Sequence, residues 1–407
     1  MGRKILHLAD LHLGYKPHTL GDGAGLHQQQ RDTLLTRIVS WVLEEARDEV
    51  GLLLIVGDLF ESPHPAPGLV ESVIRELSRL VAAGIQVITI PGNHDELTYT
   101  DGVYRTHADR WPGRLVTHPR PHEVMVLEWD KVVVAVHSMA YIQSESPDSP
   151  VFPPVSGKDV FHIAAVHATL TDRLGGFIAE GDRALKVRFD DLSQKGFSYV
   201  ALGHIHNGPL EWTTAGAAAA YAGAIEGKSY HDPGGAGLLL VDPSSRPPVL
   251  ERRPINRHII RNGIISLHEV QDESALERRI LEWAGHNLQA EKYPRLTDFK
   301  GEVDFSSMAL RIRLQGHAGF VLDIERIQAR LAPRFLALEI RVEDPAWDLG
   351  DWTRWKNEET LRGAVVRTAM EKIGAAAHEE ERRFLTEAAA VALRALHVAT
   401  QEGNVTR

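Results

Sequence analysis

Leu52-Leu53-Leu54-Ile55-Val56-Gly57-Asp58 is the segment on which the fold turns. Five apolar residues are too few for a helix and suit a buried strand, and the Gly-Asp pair ends it. The same arrangement recurs along the chain. Ile5–Ala9 runs into Asp10-Leu11-His12, Ile85–Ile90 into Pro91-Gly92-Asn93-His94-Asp95, Phe161–Val166 into His167, and Tyr199–Leu202 into Gly203-His204-Ile205-His206. Val132–Val136 and Gly237–Val241 are further short apolar runs. Between them, Gln28–Arg47 and Leu69–Ala83 have helical spacing; in the second, Val70, Val73, Ile74, Leu77, Leu80 and Val81 line one face. Strands alternating with amphipathic helices predict an α/β layered domain.

Ligands of open α/β sheets gather beyond the carboxyl ends of the strands. Here five strands deliver Asp, Asn and His to that edge. The logic is that of a two-metal site, in which two ions roughly 3.5–4 Å apart lower the pKa of a bridging water and clamp oxygens on phosphorus. A carboxylate can bridge two ions and an imidazole cannot. Mixed oxygen and nitrogen donors suit manganese, iron or zinc, so the residues alone do not fix the metal. In an extended segment His204 and His206 point to opposite sides. They can serve two ions, or one ion and one outer partner. Each fragment alone is a weak signal: Gly-Asp is often a turn, Asn-His-Asp a helix cap, Gly-His-x-His a surface loop. Their joint occurrence, each at a strand end, carries the weight. His137 also sits at a strand end but has no place in this set and reads as structural.

A chain of 407 residues with 43% hydrophobic content has room for two or three domains and a core that needs no staples. The absence of cysteine excludes disulfides and thiolate zinc sites and fits a reducing compartment. The net charge of -10 does not give the global basic surface of many nucleic-acid binders, so any DNA contact must come from local patches, metals or a partner. No run approaches the ~20 apolar residues of a membrane helix, and the N-terminal apolar stretch is too short for a signal peptide. The expectation is a soluble, cytoplasmic protein without a membrane partner.

Ser144–Gly157 reads as a surface loop, and Ala215–Ala220 as a short low-complexity stretch. Asp242–Pro248 breaks the pattern, so the main domain is expected over 1–256. Leu310–Leu314 and Leu336–Ile340 alternate like half-buried strands, accompanied by helical patterns at Ala275–Trp283 and Val321–Leu331. They make a small α/β domain over 257–345. After Pro345-Ala346-Trp347, residues 346–407 read as a helical tail. Leu361, Val365, Ala369 and Ile373 share one face, Gly374 breaks the helix, and Leu385, Ala388, Ala392 and Leu396 share a second face. Such helices serve packing or a partner.

The ligand candidates resemble the calcineurin-like metallophosphoesterase superfamily, whose pattern is D-x-H, G-D, G-N-H-D/E, H and G-H-x-H. Within it, Ala9–Gly14, Gly57-Asp58-Leu59-Phe60, Pro91–Asp95 and Ala201–His206 resemble the SbcD-like DNA repair nucleases. The motifs span residues 9–206; the resemblance extends less specifically through the small domain, and nothing beyond about 346 matches. It implies a β-sandwich flanked by helices, a small α/β capping domain and a C-terminal helical tail. It implies that Asp10, His12, Asp58 and His206 hold one ion and Asp58, Asn93, His167 and His204 the other, usually manganese. His94 would stabilise the transition state or protonate the leaving oxygen, and Asp95 would orient its neighbours. The implied activity is exo- or endonucleolytic cleavage of DNA by a metal-activated hydroxide in double-strand-break or end processing. The implied partners are a coiled-coil SbcC-like ATPase, docked on the terminal helices, and a second copy of the chain. A small-molecule or protein phosphoesterase and a scaffold subunit are the competing readings. The sequence departs from the family at Glu61, where relatives carry His or Asp, and at Tyr221-Ala222-Gly223-Ala224, where they carry a terminal serine. Glu61, together with the basic cluster Arg252, Arg253, Arg257 and Arg261, is a candidate substrate contact. For the arginines, solvated charge at a domain junction competes with phosphate binding.

Overall fold

The computed structural model describes residues 2–402 except 144, 158, 175–183, 269, 289–304, 317–319, 321 and 343–351. The chain divides into two compact units, Met1–Ile259 and Ile260–Arg407.

The first unit is a sandwich of two sheets. One has the order β13-β12-β1-β2-β3-β4, built from β1 (Lys4–Leu8), β2 (Val50–Val56), β3 (Gln86–Ile90), β4 (Arg114–Leu115), β12 (Leu238–Asp242) and β13 (Val249–Arg253). Strands β1 to β4 are parallel, and β12 and β13 add antiparallel at the β1 edge. The other sheet has the order β10-β11-β9-β7-β6-β5. Its strands are β5 (His122–Trp129), β6 (Val132–Ser138), β7 (Val160–Leu170), β9 (Tyr199–Gly203), β10 (Leu210–Thr213) and β11 (Ala218–Tyr221), with β8 (Leu185–Val187) paired to the end of β7. Ile5, Leu54 and Ile88 of one sheet share a core with Val134, Phe161, Ile163 and Tyr199 of the other.

Every residue of β2 is buried, which is why it reads as an unbroken apolar run. One of its faces meets the second sheet. Apolar stripes of α2 (Leu34–Glu45) and α3 (Pro67–Ala82), including Ile38, Val42, Val73 and Leu77, join the same core. The expected single helix over 28–47 is two: α1 (Ala24–Asp32) ends at Thr33, whose hydroxyl donates to Gln29 O instead of extending the apolar stripe. Short α4 (Val103–Thr106), α5 (Thr171–Leu174) and α6 (Phe189–Gln194) complete the unit. Phe189 and Leu192 of α6 pack with Phe152, Val166 and Val200 in a second core. Within the low-complexity alanine stretch, Ala218–Tyr221 is a fully buried strand parallel to β9.

In the second unit, β14 (Ile259–Ser266), β15 (Met308–Gln315) and β16 (Ala337–Val342) form a sheet in that order. Helices α7 (Glu273–Asn287) and α8 (Ile324–Leu331) bury Leu276, Ile280, Ile327 and Leu331. Val321 and Pro345-Ala346-Trp347 lie outside the described residues. The first terminal helix, α9 (Leu361–Ala375), ends one residue beyond Gly374, and α10 (Glu379–Glu402) follows. Trp355, from the turn before α9, joins Val366, Ala389, Ala390 and Leu393 in the seam between the two helices. The expected stripes flank that seam. Val365 and Ala369 pack against it, and with Leu361, Leu385 and Ala388 they line an open groove. No described helix is long and apolar enough to cross a membrane.

Candidate metal centre

Parallel pairing brings the carboxyl ends of β1, β2 and β3 to one edge, and those of β7 and β9 meet them there from the other sheet. The loops after β1 and β2 run side by side. Asp10 N donates to Gly57 O (3.1 Å), His12 N to Asp58 O (3.0 Å) and Leu13 N to Leu59 O (2.9 Å). The backbone turns sharply to allow this. Asp10, His12, Asp58 and His204 have φ of 56, 47, 52 and 101°, and no other non-glycine residue among those described has a positive φ. Each costs roughly 1–3 kcal/mol of strain. Two glycines make room. A Cβ on Gly57 (φ +84°) would strike the His167 ring, and one on Gly92 would strike the Asp58 carboxylate.

Asp58 stands in the middle. Its Oδ2 lies 3.6 Å from His12 Nε2 and 3.4 Å from His167 Nε2, while Oδ1 accepts from His94 N at 2.9 Å. On the His12 side, His206 Nε2 is 2.9 Å from His12 Nε2 and 3.8 Å from Asp10 Oδ1. On the His167 side, Asn93 Oδ1 is 2.9 Å from His167 Nε2, and the His204 ring meets His167 edge-on at 5.4 Å. Two rings have Nδ1 hydrogen-bonded, His167 to Val56 O (3.0 Å) and His206 to Asp232 Oδ2 (2.5 Å), and His12 Nδ1 lies at ion-pair distance, 2.8 Å, from Glu61 Oε2. A proton on Nδ1 leaves the Nε2 lone pair free for a metal.

His204 and His206 do reach opposite sides of Asp58, but not by strand alternation. β9 ends at Gly203, and the positive φ at His204 turns the chain. His167 is likewise inside its strand, in register with Gly203, because β8 supplies pairing partners that carry β7 on to Leu170.

The donor set fits a divalent ion. Asp10, His12, Asp58 and His206 offer ligand atoms all within 4.8 Å of one another. Asp10 and Asp58 are 0% and 1% exposed, and among the described residues their ion-pair partners are histidines alone. Buried carboxylates need positive charge. Burial opposes charge on Asp58, yet the His167 and His12 rings hold its carboxyl well below the usual range. His167, which burial would neutralise, is pushed up to about 10 by Asp58. His206 is raised against its burial by Asp232. Burial pushes His12 down to about 3. An ion held here would need His167 neutral, so its binding would release the proton that Asp58 holds on that ring.

His94, 38% exposed, stands edge-on to His12 at 4.7 Å with Nδ1 3.2 Å from Glu61 O. Asp95 is buried beneath it. It accepts from Gly92 N (2.8 Å), Phe60 N (3.1 Å) and Tyr104 Oη (2.7 Å), which ties the loops after β2 and β3 together. Burial and then the Asp58 charge push Asp95 up to about 6.

Glu61, expected at the substrate, is turned to His12 and to Lys228 Nζ (2.8 Å). The Arg252 guanidinium donates to Tyr221 O, Ala222 O and Ala236 O and pairs with Glu211; Arg253 pairs with Glu49 and Glu251. These internal acceptors occupy both groups. Arg257 is exposed, and its backbone N donates to Glu226. His137 is structural: it lies in β6 with Nε2 3.3 Å from His162 Nδ1 and Phe197 edge-on at 5.3 Å. The sequence reading missed Asp232, Lys228, Tyr104 and Arg31. A charged pair inside the glycine-rich turn 226–235 is the one trace the first two leave.

Carboxylates, an amide and imidazoles converging at one edge of two packed sheets define a metal-dependent hydrolase. The model of the calcineurin-like phosphoesterase family matches residues 3–208, which carry every ligand candidate. The chain belongs to that family and is a hydrolytic phosphoesterase. It is similar to the DNA double-strand break repair protein Mre11 of Saccharolobus solfataricus, 26% identical over 65% of this chain and 70% of the relative. It is similar to the Mre11 of Methanopyrus kandleri, 24% identical over 71% and 61%, and to the uncharacterized metallophosphoesterase YhaO of Bacillus subtilis, 24% identical over 58% and 56%. The chain thus spans between 56 and 70% of the length of these relatives.

Proposed function

We propose that the protein is a metal-dependent DNA nuclease that hydrolyses phosphodiester bonds at a two-ion centre. The observation that carries this reading is the buried Asp58 carboxylate, one oxygen of which faces both His12 and His167. Asp10, His12, Asp58 and His206 would hold one ion, and Asp58, Asn93, His167 and His204 the other, with manganese favoured. When bound, the ions supply a nucleophile at neutral pH and positive charge at phosphorus. The chain does the rest. His94, with its Nδ1 turned to Glu61 O and its ring half in solvent, presents Nε2 to the leaving oxygen as proton donor. Asp95 fixes the backbone on which Asn93 and His94 sit. Arg257 is free to meet a phosphate.

DNA as substrate, and a role in double-strand-break or end processing, rest on the similarity to Mre11 proteins. So does a partner ATPase of the SbcC-like kind, for which the groove between α9 and α10 is the proposed seat. A three-part division at about 256 and 345, a homodimer and a cytoplasmic location complete the proposal.

The test is cleavage of linear double- and single-stranded DNA with manganese and with chelator, for wild type and His94→Ala. Manganese-dependent cutting, reduced about 10²–10⁴-fold in the variant, is expected. Equal cutting by the variant overturns the role of His94. Intact DNA beside hydrolysis of a chromogenic phosphodiester moves the same chemistry to a smaller substrate.

A further inference from the structure

The turn Glu226–Asp232 touches the centre twice. Asp232 Oδ2 is 2.5 Å from His206 Nδ1. Lys228 Nζ is 2.8 Å from Glu61 Oε2, the same oxygen that lies 2.8 Å from His12 Nδ1. Lys228 N donates to Asp232 O (2.8 Å), so the two contacts are one rigid piece. Beneath it, the fully buried Arg31 guanidinium donates to Glu226 O (2.9 Å) and Gly227 O (2.5 Å) and also to Leu11 O (3.1 Å). Leu11 is the residue between Asp10 and His12. One arginine therefore holds the turn and the ligand loop at a fixed separation.

Both histidines that this turn addresses belong to the same proposed ion, and their Nε2 atoms converge to 2.9 Å. Across Asp58, His167 is held by a backbone carbonyl instead. A carboxylate on the far nitrogen of a metal-binding histidine fixes its ring and raises its basicity, and typically controls affinity by about 10–100-fold.

We propose that Asp232 and Glu61, the latter steered by Lys228, are positioning residues that set the affinity of one ion position only, that of Asp10, His12 and His206. The inference rests on the two-ion reading above. The experiment is manganese titration of the full chain by calorimetry, with electron paramagnetic resonance at each stoichiometry. Wild type is expected to bind two ions with a spin-coupled signal. Asp232→Asn is expected to bind one ion as before and the other about 10–100-fold more weakly, giving an uncoupled signal at one equivalent. Asp232→Glu restores the coupled pair. Glu61→Gln gives the same selective loss and serves if the Asp232 variants do not fold. Two ions bound by Asp232→Asn and Glu61→Gln with wild-type affinities and coupling overturn the inference alone. A wild-type chain that binds fewer than two ions removes the two-ion reading and this inference with it.

Discussion

On one side of Asp58, His12 and His206 are turned by the carboxylates of Glu61 and Asp232, which come from separate loops. On the other side, His167 is turned by the carbonyl of Val56, an atom of β2 in the facing sheet. The first arrangement is made of side chains and can be altered one residue at a time. The second is anchored on a backbone atom, so no side-chain truncation removes its acceptor. In the proposed two-ion reading these are two half-sites, one anchored on backbone and one on side chains, that share Asp58.

Asp58→Asn should abolish the comparison by emptying both halves. Loss of both ions is expected, exceeding the roughly 10–100-fold that an outer partner controls, with phosphoesterase activity at background. Calorimetry that still finds a tight ion would show one half standing without the bridge.

Acidity should act on both halves at once. His167, raised to about 10 in the ion-free protein, is protonated at neutral pH, whereas His12 at about 3 is not; His206 is shifted upward by Asp232. Ion affinity should rise about tenfold per pH unit for each proton displaced, and loading near pH 7 should release the proton held by His167. Comparing calorimetric heats in buffers of different ionisation enthalpy counts the protons; release of none would contradict the assignment. The sign for stability is the reverse. The folded pKa of His167 lies near 10, above its unfolded value of about 6.5. The ion-free fold therefore keeps this contribution in full below about 6.5 and loses it as pH rises toward 10. Melting in chelator at pH 7 and 9.5 measures the difference.

Gly57→Ala should be the smallest and most selective change. Its Cβ meets the His167 ring and its φ is +84°, so roughly 1–3 kcal/mol of destabilisation is expected, about tenfold per 1.4 kcal/mol in ion affinity on the His167 side. An equal effect on both ions would erase the distinction between the halves.

The candidate ligands were legible because each stands at or beside the end of an apolar run that pairs in parallel. Asp10, Asp58, Asn93 and His206 follow their strands within a few residues, and the strand ends share an edge. The supports were not. Lys228 meets Glu61 across 167 positions and Asp232 meets His206 across 26, with no periodicity to mark either. Ala218–Tyr221 escaped as a strand because alanine lacks the β-branched and aromatic signal. Its small side chains make sense only when both faces are covered. The Glu61 carboxylate invited a substrate role by its motif position, and only the coordinates show it facing inward.

The four left-handed residues set folding and chemistry against each other. Glycine would occupy any of these positions without steric penalty, so natural drift toward a sturdier chain leads straight through the ligands. Variants selected for heat resistance alone should collect at 10, 12, 58 and 204, and the most durable of them should be the inert ones. The angles at Asp10, His12, Asp58 and His204 thus set the steric preference of the backbone against the side chains the candidate centre needs.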